Sequence, residues 1–133
     1  MRLLDWRWWL GLKPKFALRP PKKYSITVVI PAYNERRSIA ATIESVKRQS
    51  VKIDEIIVVD DCSTDITGKI AKIKGATVIR TPKIQGTKAM AQNYVIPMIT
   101  TDLLATIDAD TLLAKDAIEK TLPYFNNPKT ASV

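Results

Sequence analysis

The chain has 133 residues, of which 46% are hydrophobic and 26% are charged, so a single soluble globular domain with a real core is expected. It contains no histidine, which excludes a histidine general base and a histidine-ligated zinc site within these residues. Its one cysteine, Cys62, cannot form an internal disulfide, and this favours a reducing compartment such as the cytoplasm.

The formal net charge of +8 is concentrated at the N-terminus. Residues 1–23 hold seven basic side chains and one acid, and therefore carry +6 of that charge. Because the remainder is nearly balanced, nucleic-acid binding would depend on this leader alone, and we expect no nucleic-acid partner. The leader mixes its basic residues with Trp6, Trp8 and Trp9, a composition typical of a membrane interface. Two interpretations stay open: residues 1–12 contact the cytoplasmic face of a membrane, or they pack on the protein.

Three prolines predict a linker over residues 13–23, which leaves residues 24–133 as the domain. After the linker, apolar β-branched runs alternate with segments of helical periodicity. Strands with apolar residues on both faces, separated by helices, predict an α/β protein with a doubly wound, mostly parallel sheet and helices on both faces. Pro31 is expected to end the first strand. The predicted strands are 25–30, 55–60, 76–80 and 102–107, and the predicted helices are 38–49, 64–74, 87–96 and 115–125.

Polar residues follow all four predicted strands, at residues 31–35, 60–65, 86–88 and 108–110. Ligands of open parallel sheets bind outside the carboxyl ends of the strands, so these clusters predict one binding site at one edge of the sheet. In the last cluster, two aspartates one residue apart can converge on a hard cation. A diphosphate leaving group needs such a cation.

Each cluster also has a purely structural interpretation. Asn34 is a candidate N-cap of the first helix, and Ser63 or Thr64 of the second. Tyr33 is either a surface aromatic or a platform for a base. Lys88 is either solvated or in reach of a phosphate. The adjacent pair at 60 and 61 favours ligand contact, because two neighbouring carboxylates repel each other and capping needs at most one.

Four motifs together, in order and spacing, resemble those of the family 2 glycosyltransferases: residues 28–35 (VVIPAYNE), 57–65 (IVVDDCSTD), 88–93 (KAMAQN) and 108–110 (DAD). That family has the Rossmann-like GT-A fold and includes cellulose-, chitin- and hyaluronan-synthase-like enzymes and many bacterial polysaccharide transferases. The resemblance implies an inverting, metal-dependent transfer of a sugar from a nucleotide-diphosphate donor, expected to be a UDP-sugar. The implied acceptor is a hydroxyl of a saccharide or lipid-linked molecule.

The resemblance also implies roles for individual residues. Asp110 should ligate Mg²⁺ or Mn²⁺, and Asp108 should lie near the ribose and the metal. Lys88 should approach the base or the diphosphate. The remaining expected contacts are with the nucleoside, and they come from Pro31, Ala32, Tyr33, Glu35 and one of Asp60 and Asp61.

The chain departs from the family's pattern in places. Cys62 and Thr87 stand where the family usually has glycine. The family's later general-base aspartate and its Gln-x-x-Arg-Trp motif have no counterpart, and residues 131–133 are typical of the start of another strand. We therefore expect a truncated domain that holds the donor half, with the general base beyond Val133. The alternatives are a non-catalytic nucleotide-sugar-binding module and a nucleotidyltransferase, the latter disfavoured because residues 31–35 lack the glycine of a phosphate loop.

Overall fold

The computed structural model describes residues 23–127 and 129–133. The predicted membrane contact through residues 1–12 lies outside the described residues, and the division at residue 23 stays a prediction. Within the described ranges, no helix has the length and the apolar character that crossing a membrane requires.

Four parallel strands form one sheet in the order β3-β2-β1-β4. A helix follows each strand, and short 3-10 turns follow the third and fourth helices at Ile96–Met98 and Leu122–Asn126. The predicted parallel α/β architecture is confirmed. The strands are β1 (Ile26–Ala32), β2 (Glu55–Asp60), β3 (Thr77–Arg80) and β4 (Leu103–Thr106), and the helices are α1 (Ile39–Lys47), α2 (Thr67–Ile73), α3 (Lys88–Val95) and α4 (Ala117–Thr121).

The core has two layers, because alternate residues of β1 point to opposite faces of the sheet. Val28 and Ile30 are fully buried on the face that is covered by α1, α2 and α4. Val29, on the other face, packs with Ala91 and Val95 of α3. α3 thus lies on the opposite face of the sheet from α1, α2 and α4, and the strand order reverses between β1 and β4. That reversal is the topological switch point of a doubly wound sheet, the usual place for a ligand.

Contrary to expectation, Pro31 does not end β1, which runs to Ala32. The carbonyl of Val29 accepts a hydrogen bond from Ile107, on the β4 side, whereas that of Ala32 accepts one from Asp61, on the β2 side. Pro31 therefore faces the β4 side, where the pairing with β4 has already ended. Its missing N–H removes no ladder hydrogen bond, so the strand continues.

All four helices are shorter than predicted, and α2 and α4 differ the most. α2 begins at Thr67, because the N–H groups of Thr64 and Asp65 donate to the side chain of Asn34 and are held in a loop. α4 ends at Thr121 and continues as a 3-10 turn that contains Pro123. Proline lacks the N–H that an α-helical turn requires, which accounts for the change.

Candidate functional site

A cleft of about 400 Å³ opens at the carboxyl edge of the sheet, beside β1. It brings together residues from three of the four predicted clusters, and the fourth joins them through a contact of Lys88 with Asp108. The predicted meeting of the strand ends at one edge therefore matches the geometry. The cleft is lined by Pro31, Ala32, Tyr33, Glu35, Asp61, Ile84, Gly86, Thr87, Lys88 and Ala91.

Asp61 forms part of the cleft wall directly after β2. It is 7% exposed, and its Oδ1 accepts hydrogen bonds from Thr81 Oγ1 at 2.8 Å and from the backbone N–H of Gln85 at 2.9 Å. A buried carboxylate is costly unless such donors compensate its charge. These donors come from the loop after β3, and they hold the carboxylate in one orientation at the cleft.

Asp60 does not line the cleft, although it was predicted together with Asp61 as a substrate contact. Its side chain points the other way, because successive residues of an extended strand alternate. Asp60 Oδ2 forms an ion pair with Arg80 Nη1 at 2.8 Å, and Oδ1 accepts the N–H of Ser63 at 2.9 Å. Of the two aspartates, only Asp61 is placed to contact a ligand in this cleft.

Asn34 does not cap α1. Its φ of 55° places it in the left-handed region, and its side-chain oxygen accepts the N–H of Thr64 at 2.8 Å. Its own N–H donates to Ser63 Oγ at 3.0 Å. Asn34 therefore ties the loop after β1 to the loop after β2. Glu35, beside it, lines the cleft and accepts a hydrogen bond from Ser38 Oγ at 2.6 Å.

Lys88, the first residue of α3, points toward the end of β4. Its Nζ lies 3.0 Å from Asp108 Oδ1. The hydrogen bond to Asp108 raises the pKa of Lys88 above its usual value, with a smaller opposing effect from desolvation. The charges of Asp110 and Glu35 raise it further. One ammonium group thus stands among three carboxylates that come from two different loops.

The departure at Thr87 has a structural reason. Thr87 is the N-cap of α3, and its Oγ1 accepts the N–H of Met90 at 3.2 Å. The left-handed backbone conformation that glycine favours is taken one residue earlier, by Gly86 with a φ of 86°. In this turn, Gly86 therefore adopts the left-handed conformation and Thr87 caps the helix.

Asp108 and Asp110 supply carboxylate oxygens, the ligand type that a hard divalent cation prefers. Within residues 23–127 and 129–133, no group of three or more His, Cys, Asp or Glu side chains is arranged to hold a metal. Mg²⁺ is commonly bound by one or two carboxylates together with substrate phosphates and water, so two aspartates suffice. In this structure the ammonium of Lys88 lies 3.0 Å from Asp108 Oδ1 and balances the charge of that carboxylate.

Three polar side chains, two in α1 and one just after it, anchor the segment that carries these aspartates, and the sequence analysis missed them. Thr42 Oγ1 donates to the carbonyl of Ala109 at 2.8 Å. Ser45 Oγ accepts the N–H of Leu113, and Gln49 Nε2 donates to the carbonyl of Ala114 at 2.7 Å. Thr42 and Ser45 are three residues apart and share one face of α1, and Gln49 follows two residues after the helix ends. The sequence shows the spacing of these residues, but it does not show which backbone groups they contact.

Cys62 occupies a position that suits glycine, since its φ is 60°. A non-glycine residue in this conformation destabilises the folded state by about 1–2 kcal/mol. Glycine removes that strain, but part of the stabilisation is lost because glycine has more conformational freedom in the unfolded chain. We expect Cys62→Gly to be more stable than Cys62→Ala by about 0.5–1 kcal/mol. The alanine variant is the matched control, because both substitutions remove the thiol that donates to the Thr81 carbonyl. Thermal unfolding measures the difference, and equal melting temperatures would show that the loop is not strained.

Comparison with known proteins places the chain in a family. The profile described as "Glycosyl transferase family 2" matches residues 27–133. The chain is 36% identical over 106 residues to a 4,4'-diaponeurosporenoate glycosyltransferase of Staphylococcus aureus (strain bovine RF122 / ET3-1), a match that covers 76% of this chain. The chain spans 28% of the length of that relative.

Solved structures agree with the fold and the family. A mannosyltransferase from Pyrobaculum calidifontis, in complex with GDP-Man and Mn²⁺, superposes with a TM-score of 0.77 at 25% identity, covering 93% of this chain and 39% of that chain. Glucosyl-3-phosphoglycerate synthase from Mycobacterium tuberculosis, in complex with Mn²⁺, UDP and glucosyl-3-phosphoglycerate, superposes with a TM-score of 0.57 at 31% identity. This match covers 65% of this chain and 33% of that chain. With its parallel sheet, its cleft at the switch point and these matches, the chain belongs to glycosyl transferase family 2.

Proposed function

We propose that this chain binds the nucleotide-sugar donor of an inverting, metal-dependent glycosyltransferase, with a UDP-sugar as the donor. One observation carries the proposal: a single cleft at the switch point is lined by Asp61 and Lys88, and Lys88 contacts Asp108. Asp61 can accept a hydrogen bond from a base, Lys88 can bind a diphosphate, and Asp108 can ligate a metal. These three groups therefore lie next to one another. The transfer reaction and its acceptor, a saccharide or a lipid-linked molecule, belong to the same proposal.

The base and the ribose occupy the part of the cleft beside β1 and β2. The carboxylate of Asp61 accepts the N–H of uracil, because its orientation is already fixed by Thr81 and Gln85. Tyr33 lines the same cleft, and its ring is half exposed, so it offers a stacking surface. Of the two structural relatives described above, one is in complex with UDP and the other with GDP-Man, which makes the base the first property to test.

The diphosphate lies between Lys88 and the aspartates at the end of β4. Asp108 and Asp110 would hold Mg²⁺ or Mn²⁺, which would neutralise the diphosphate as it leaves. Lys88 provides a point charge for the same oxygens. The acceptor hydroxyl displaces the diphosphate in one step, which inverts the anomeric carbon. We assign no general base to Asp116, because this residue at the start of α4 is paired with Lys120.

Calorimetry with UDP, GDP and dTDP, each with and without Mn²⁺, tests the proposal. We expect UDP to bind most tightly, and Mn²⁺ to strengthen its binding by at least about tenfold, or 1.4 kcal/mol. Asp110→Ala should abolish the gain from Mn²⁺, because it removes one of two carboxylate ligands. Asp116→Ala is the matched control, since that carboxylate pairs with Lys120 in α4. UDP binding that responds neither to Mn²⁺ nor to Asp110→Ala would refute the metal assignment.

The same geometry supports a non-catalytic nucleotide-sugar-binding module as a second candidate. The residues that line the cleft supply contacts for a donor, and Asp116 and Glu119 near and within α4 are engaged by Lys120 and Ser50. The two functions differ in whether labelled sugar is released from the donor to an acceptor hydroxyl. Both require that the chain binds the nucleotide.

A further inference from the structure

Asp60 and Arg80 both form hydrogen bonds with the backbone of Ser63, one with its N–H and the other with its carbonyl. Asp60 Oδ1 accepts the N–H of Ser63 at 2.9 Å, and Arg80 Nη2 donates to its carbonyl at 2.9 Å. The two side chains are joined by the contact of Arg80 Nη1 with Asp60 Oδ2 at 2.8 Å. The three residues form a closed set of charge-assisted hydrogen bonds, which are shorter and stronger than neutral ones. We call them the Ser63 brace.

The Ser63 brace continues into the loop that lines the cleft. Ser63 Oγ accepts the N–H of Asn34 at 3.0 Å, and the Asn34 side chain accepts the N–H of Thr64. Asn34 stands in a left-handed conformation between Tyr33 and Glu35, both of which line the cleft. A non-glycine residue keeps this conformation only where its surroundings impose it. The contacts of Ser63 and Thr64 provide that constraint.

The carboxylate of Asp60 is fixed from its other side as well. A Cβ at Gly68 would lie 2.9 Å from Asp60 Oδ2, so the second residue of α2 packs directly on the carboxylate. Asp60 is 3% exposed, whereas the side chain of Arg80 is 55% exposed. Loss of Asp60 would therefore disturb the core. Loss of Arg80 removes the brace without opening a cavity in the core, but it leaves the buried Asp60 carboxylate without its ion-pair partner.

We propose that Asp60 and Arg80 are positioning residues of the donor site. They contact no part of the donor; they fix Ser63, and through it the Asn34 backbone that orients Tyr33 and Glu35 toward the nucleoside. The inference rests on the proposed donor-binding function. It also assigns a role to Arg80, a residue that no sequence motif had singled out.

A double-mutant cycle tests the proposal with UDP binding measured by calorimetry. Arg80→Ala and Ser63→Ala should each weaken UDP binding by about tenfold, because each interrupts the same series of contacts. The double variant should bind about as weakly as either single variant. Independent losses that multiply to roughly a hundredfold would overturn the proposal, as would an unchanged affinity in Arg80→Ala.

Two further variants separate positioning from general stability. Arg80→Lys should restore part of the affinity, since one ammonium group can hold Asp60 or the Ser63 carbonyl but lacks the fork that holds both. Lys74→Ala removes an exposed ion pair with Glu44, 3.4 Å long, and should leave UDP affinity unchanged. A loss in Lys74→Ala equal to that in Arg80→Ala would contradict a specific role for the brace.

The amide NMR signals of Asn34 and Thr64 provide a readout that needs no ligand. Both signals should shift in Arg80→Ala and move back toward their native positions in Arg80→Lys. Signals that stay in place would overturn the brace even in a protein that binds UDP. Shifted signals in a protein that binds no nucleotide would instead refute the donor-binding function and leave the brace intact.

Discussion

Replacing Asp61 by asparagine is expected to weaken UDP binding by about 10- to 100-fold, the range for loss of a hydrogen bond to a charged group. The asparagine oxygen can still accept from Thr81 and Gln85, so its amide N–H₂ would then face the cleft. That donor would meet the N–H of uracil, which is also a donor. The loss should be the same for uridine as for UDP, because the contact is with the base.

The same variant separates the base from the diphosphate. Calorimetry with and without Mn²⁺ should show that Asp61→Asn retains the full gain from the metal while its overall affinity is low. Asp54→Asn is the matched control, since Asp54 accepts the N–H of Ile26 at the start of β1, away from the carboxyl edge. If folded Asp61→Asn bound UDP as tightly as the native chain, the base contact would have been assigned to the wrong residue.

Thr42→Val is expected to destabilise the protein by about 1–3 kcal/mol, the cost of leaving a buried polar group without its partner. Valine has the shape of threonine but cannot donate to the carbonyl of Ala109, a residue that is 2% exposed. Ala109 stands between the two aspartates that would bind the metal. We therefore expect the melting temperature to fall by roughly 4–12 °C, and the gain from Mn²⁺ in UDP binding to shrink.

Thr42→Ser controls for the change of side chain. Serine loses a buried methyl group, at a cost of about 1 kcal/mol, but keeps the hydroxyl that anchors Ala109. It should therefore retain the gain from Mn²⁺ even though its melting temperature falls. A Thr42→Val variant with native stability and a native response to Mn²⁺ would show that α1 does not position the aspartates.

The strands were the most predictable part of this fold. β2 spans residues 55–60 as predicted, because its continuous apolar run has no competing helical period. The other differences are local. Whether Pro31 ends β1 depends on where β4 stops, and the length of α4 depends on Pro123. Both become clear only when the neighbouring element, or the local hydrogen bonding, is known.

The sequence predicted that the site lies where the strand ends meet, but it did not predict which side chains contact one another there. The sequence cannot show which of Asp60 and Asp61 faces the cleft, because the answer depends on the register of two strands. In the sheet, Asp60 lies directly opposite Arg80 of β3, and this pairing draws its carboxylate away from the cleft. The partners of Thr42, Ser45 and Gln49 are likewise more than 60 residues away along the chain.

The contact of Lys88 with Asp108 means that the ligand-free protein carries its own counter-ion. A divalent metal that binds Asp108 must displace this ammonium, and the displaced ammonium is then available to the diphosphate. If the chain binds both as proposed, metal and nucleotide would be thermodynamically linked, and each would raise the affinity of the other by the same factor. A metal affinity measured without nucleotide would include the cost of breaking the internal pair and would underestimate the affinity of the donor-bound protein.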